Sequence, residues 1–65
     1  PKVFFAIKDI PASTAFSPSL VRVEQMDEKK IPKGAVTTIE YALMSSRTAK
    51  LIKQGQMLFE RDFRH

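Results

Sequence analysis

A mostly β domain built from short strands and one-turn helices is what this sequence predicts, on three observations. Residues 3–7 are a short apolar run rich in aromatic and β-branched side chains, the composition of a strand. Residues 21–25 alternate apolar with polar, the pattern of a half-exposed strand. A segment beginning at Lys8 also matches a second beginning at Lys50 without gaps, at an offset of 42 residues.

Within the first run a period of two puts Val3, Phe5 and Ile7 on one face, with Phe4 and Ala6 on the other. Both faces are apolar, so this strand is expected to be buried on both sides. Pro11 and Pro18 lack N–H groups and interrupt the next stretch of chain. The expected order there is a turn at Ala12 and Ser13, a very short strand over 14–16, and one helical turn opened by Pro18 and capped by Ser17. Residues 21–25 then form the alternating strand. The charged stretch 26–33 contains Pro32 and reads as a loop. Over 35–43 the pattern is ambiguous. Thr37 or Thr38 would cap a short helix carrying Ile39, Tyr41 and Leu43 on nearby faces, and such a helix needs a core to lean on. Residues 47–52 read as a strand, followed by a turn at Lys53, Gln54 and Gly55, where glycine accepts a positive φ. Met57 and Leu58 are apolar, and 60–63 reads as another helical turn.

The internal match pairs Ile10 with Ile52, Ala15 with Met57, Phe16 with Leu58 and Val21 with Phe63. Ser13 and Gly55 both fall where a tight turn is required. Each copy reads as strand, turn, short strand and helical turn. Neither is large enough to bury its own apolar residues, so the two are expected to share one core, as repeats do. The five phenylalanines and three methionines are expected to fill it.

Size and composition limit the rest. With 65 residues the chain is a single domain, 1–65, of marginal independent stability. It begins at Pro1 without a leader and reads as a domain excised from a longer protein. The absence of Cys excludes disulfides and Cys-based zinc sites. Lys and Arg outnumber Asp and Glu by 11 to 7. That excess favours anionic surfaces or polymers, without the dense basic stripe of a nucleic-acid binder. No apolar run has the length of a membrane span.

Catalysis is not expected. The one histidine, His65, is the last residue and is expected to be a solvated tail. Asp27, Glu28, Glu60 and Asp62 sit beside basic residues and read as solvated charge, with no cofactor and no metal implied. Arg47, Lys50 and Lys53 recur at spacings of three, which do not share one face in a strand. The candidate binding surface is Lys29, Lys30 and Lys33, three cations in one loop suited to an anionic glycan, a lipid headgroup or a partner protein.

Residues 5–14, an apolar strand and a basic residue followed by Asp9, Ile10, Pro11, Ala12, Ser13 and Thr14, resemble the opening of the SAF domain family. The stretch from Ser17 to Arg22 is similar to its next segment. Ile31-Pro32-Lys33-Gly34-Ala35-Val36-Thr37 resembles the linker of the CpaB/RcpC branch, and Ser46 to Leu58 that branch's second half. Two positions depart from the family: Ser13 stands where Gly is preferred, which puts a left-handed turn in doubt, and Ser46 stands where Gly precedes the Arg.

The resemblance implies a β-clip fold of the kind shared with type III antifreeze proteins. It also implies a non-catalytic module of Flp (type IVb) pilus assembly, periplasmic and tethered to the inner membrane through a segment absent from this chain. The implied partners are the secretin or peptidoglycan, not nucleic acid, met by the 29–33 loop and by edge strands open to pairing. Two alternatives accompany this reading. One is an accessory domain of a sugar-processing enzyme like sialic acid synthase. The other is an ice-binding protein, whose need for a low-charge face Lys8, Asp9 and the lysine loop oppose.

Overall fold

β1 (Lys2–Ala6) and β2 (Val21–Gln25) form an antiparallel pair in which Phe4 lies opposite Val23 and Ala6 opposite Val21. A 3-10 turn, Pro18–Leu20, leads into β2, and Ser17 caps it by accepting the Ser19 N–H. A second 3-10 turn, Glu28–Lys30, precedes α1 (Ile39–Leu43). β3 (Arg47–Thr48), a third 3-10 turn (Glu60–Asp62) and β4 (Phe63–Arg64) complete the chain. These elements come from a computed structural model that describes residues 1–45 and 47–64. The expectations for Ser46 and His65 lie outside the described residues.

The internal match is a symmetry of the fold. Ile10 and Ile52 exchange both backbone hydrogen bonds, at 2.7 and 2.8 Å. Around them each contact recurs with its partners exchanged. The Gly55 N–H donates to the Ala6 carbonyl and the Ser13 N–H to the Thr48 carbonyl, both at 2.8 Å. The Ala6 N–H reaches the Gln56 carbonyl at 3.0 Å, as the Thr48 N–H reaches that of Thr14 at 2.9 Å. The Ile7 N–H donates to Leu20 as the Ala49 N–H does to Asp62. Ala6 opposite Val21 recurs as Thr48 opposite Phe63, and the turn Pro18–Leu20 as Glu60–Asp62. Reciprocal contacts of this kind define an approximate two-fold axis, here passing between Ile10 and Ile52.

The chain between the copies closes one side. The Leu58 N–H donates to Phe4 and the Val36 N–H to Leu58, so residues 57–59 lie between β1 and residues 35–36. The core they cover contains Phe4, Ala6, Ile10, Val36, Ala42, Ile52, Leu58 and Phe63. Phe16, Leu20, Val21, Ile39 and Tyr41 pack against it half-buried. Phe16 meets Phe63 edge to face, with ring centroids 5.6 Å apart.

Several expectations are corrected here. Ile7 is 46% exposed, because β1 ends at Ala6 and only Val3, Phe4 and Ala6 are fully enclosed. Residues 14–16 pair too sparsely to form a strand, and the strand expected over 47–52 shrinks to β3 plus the lone Ile52 bridge. The 26–33 loop contains a helical turn, closed by Asp27 accepting the Lys29 N–H. In α1 the buried residue is Ala42, whereas Leu43 is exposed and Thr38 forms no side-chain cap. Met44 projects into solvent. The innermost side chains are aliphatic; Phe5, Phe16 and Phe59 are only half-buried. Ser13 adopts the left-handed turn that its side chain had put in doubt, at φ 62°.

Candidate binding site

Lys29 and Lys30 end the 3-10 turn, and Lys33 follows Pro32. Asp27 spends a carboxylate oxygen on the Lys29 backbone, 3.1 Å away. Ile31, which follows, is half-buried and closes the turn through its N–H to the Glu28 carbonyl. All three lysines are exposed, and among the described residues none is in an ion pair. Gly34, at φ 86°, then turns the chain back toward the core.

The chain leading into the lysine turn passes the end of a cleft that the three lysines themselves do not line. The Met26 N–H donates to the Pro1 carbonyl at 3.0 Å, so the chain leaves β2 beside the end of β1 that carries Lys2. Lys2, Phe4 and Val23 line one wall of a half-open cleft of about 330 Å³, and Thr37, Thr38, Ile39 and Glu40 line the other. Lys2 and Phe4 share a face of β1 because they are two residues apart, and Val23 joins them because it pairs with Phe4. The cleft thus offers an apolar floor ringed by two hydroxyls, an ammonium and a carboxylate. Such a mixture suits a sugar ring or a short peptide, with apolar contact below and polar groups to orient the ligand.

The remaining cations are dispersed. Arg47 donates to the Ser13 carbonyl at 3.1 Å, and Lys50 lies 3.5 Å from Asp62. Asp62 corrects the reading of solvated charge: it is 1% exposed, and its other oxygen accepts the Phe59 N–H at 2.9 Å. It closes the third helical turn and is a structural residue. Among the described residues no three His, Asp or Glu side chains gather as a metal set. No helix among them is long and apolar enough to cross a membrane.

A family model for the SAF domain matches residues 1–64. The chain belongs to the SAF domain family. No curated protein and no solved structure matches it. Within this SAF domain, sequence reasoning found the lysines but missed the cleft. The alternating pattern puts Val23 on the apolar face of β2, the one expected to be covered, so its 54% exposure at the cleft was not legible. Thr37 and Thr38 were legible only as candidate caps.

Proposed function

We propose that this SAF domain is a non-catalytic module that binds a carbohydrate-containing or other anionic polymer. More narrowly, it serves Flp pilus assembly as its CpaB/RcpC resemblance implies, contacting peptidoglycan or the secretin. In this reading it works in the periplasm, held to the inner membrane by a segment outside this chain. The supporting observations are three exposed lysines outside any ion pair among the described residues and a half-open amphipathic cleft, with Met26, at the start of the lysine loop, bonded to Pro1 next to the cleft residue Lys2. The lysines would attract carboxylate-bearing polymer, and the cleft would seat one unit of it against Phe4 and Val23. Binding of this kind needs no nucleophile and no general acid.

The test is co-sedimentation with purified peptidoglycan sacculi beside pull-down on isolated secretin, at low and high salt. Wild type is expected to bind one of the two, and to weaken as salt screens the lysines. The triple variant K29E/K30E/K33E is expected to bind at least about tenfold more weakly while keeping its fold. Retention of neither target by wild type, or equal retention of the variant, would overturn the reading.

A further inference from the structure

We infer that β2 is a self-complementary edge through which two copies of this domain pair into a four-stranded antiparallel sheet. Among the described residues, β2 has β1 as its only strand neighbour. The hydrogen bonds from Ile7 N–H to Leu20 and from Met26 N–H to Pro1 mark the bonded positions of the ladder. Antiparallel ladders alternate, so Arg22, Glu24 and Met26 turn their backbone groups toward β1, as Leu20 does its carbonyl, and Val21, Val23 and Gln25 turn theirs outward. The Val21 N–H is taken by the Pro18 carbonyl. The amides of Val23 and Gln25 and the carbonyls of Val21 and Val23 are left on an open edge.

Such an edge invites pairing unless charge or distortion blocks it. This one carries Arg22 and Glu24, and their spacing decides the partner. In an antiparallel pair centred on Val23, Arg22 of each copy falls opposite Glu24 of the other, and Val21 opposite Gln25. The outward amides then meet outward carbonyls in register: Val23 bonds Val23 reciprocally, and each Gln25 amide reaches a Val21 carbonyl. Arg22 and Glu24 would occupy the non-bonded positions, where facing side chains come closest. Within one copy they already form an ion pair, with Arg22 stacked 4.6 Å over the Phe5 ring, so both are pre-arranged on one face. On the other face Val23, 54% exposed, would lie beside its own counterpart across the two-fold axis. A two-fold axis perpendicular to the sheet keeps the two clefts on the same face. A partner strand without an anion opposite Arg22 and a cation opposite Glu24 would leave these charges uncompensated, whereas a second copy of this chain supplies both, so the edge favours self-pairing.

The pairing does not depend on what the lysine turn binds. It is tested by sedimentation equilibrium of the domain from about 10 µM to 1 mM, because a short interface of this type is expected to be weak. R22E and E24R alter exposed side chains and are checked for fold by circular dichroism. Each alone is expected to raise the dimer Kd at least about tenfold, since it sets like charges opposite each other. An equimolar mixture of the two is expected to restore association as a heterodimer, as is the double variant R22E/E24R with itself. V23P, which removes an amide that β1 does not use, is expected to abolish pairing without unfolding the domain. A wild type that stays monomeric throughout, or R22E that associates as tightly as wild type, would overturn the proposal.

Discussion

Thr48 shows how one hydroxyl substitutes for a backbone contact. In the second copy the turn at 53–56 closes directly, the Gln56 N–H donating to the Lys53 carbonyl at 3.0 Å. In the first copy no direct hydrogen bond joins the matching Thr14 N–H and Pro11 carbonyl. The Thr14 N–H donates instead to Thr48 Oγ1 at 2.9 Å, and that hydroxyl donates to the Pro11 carbonyl at 2.7 Å. Thr48 is fully buried and stands where the first copy has Ala6. Thr48→Val keeps the shape and orphans both partners, so urea denaturation is expected to show a loss of about 2 kcal/mol, and Thr48→Ser only about 1 kcal/mol. The third position of each turn is left-handed, Ser13 at φ 62° and Gly55 at φ 84°, as a type II turn demands. A Cβ on Gly55 would meet nothing within 4 Å. Gly55→Ala is therefore expected to lose about 1 kcal/mol through backbone strain alone, and Ser13→Gly to gain up to about 1 kcal/mol by relieving it.

At the scale of elements, the strongest restraint is the meeting of the two copies at Ile10 and Ile52, respectively 1% and 0% exposed. Replacing either by Ala is expected to cost about 2–5 kcal/mol, and the two effects should not add, because the side chains share one interior. A double-mutant cycle checks this. The copies were legible in the sequence because Ile10, Ser13, Phe16 and Val21 each have a matching residue 42 positions on. Two of the three 3-10 turns were legible too, since Pro18 and Ser17 specify one locally and Glu60–Asp62 repeats it, whereas Glu28–Lys30 fell in a stretch read as loop. Strand lengths, apart from that of β2, were not legible. Residues 14–16 and 49–52 have strand-like composition, but the two-fold axis pairs them at isolated points, a constraint no local pattern expresses. Nor was the burial of Asp62, set by a backbone amide and by Lys50 from the other side of a turn. The cleft was hidden for the same reason: its walls come from β1, β2 and the start of α1, brought together only by folding.

The whole molecule has a single interior, and each half supplies one side of it. Stability for a chain of this size is on the order of 3–10 kcal/mol, so Ile10→Ala together with Ile52→Ala is expected to leave it largely unfolded by circular dichroism at room temperature. The interior is occupied with holding the halves together, which leaves the surface to provide function. Of that surface, the lysine turn supplies exposed charge outside any ion pair among the described residues, and the cleft supplies a cavity. The most direct test is an NMR titration of the ¹⁵N-labelled domain with soluble peptidoglycan glycan chains and, in parallel, with a soluble secretin fragment. Amide shifts are expected with one of them, confined to Lys2, Val23, Lys29, Lys30, Lys33 and residues 37–40. Shifts centred instead on Arg47, Lys50 and Lys53, or none with either ligand at millimolar concentration, would contradict a binding role for this face.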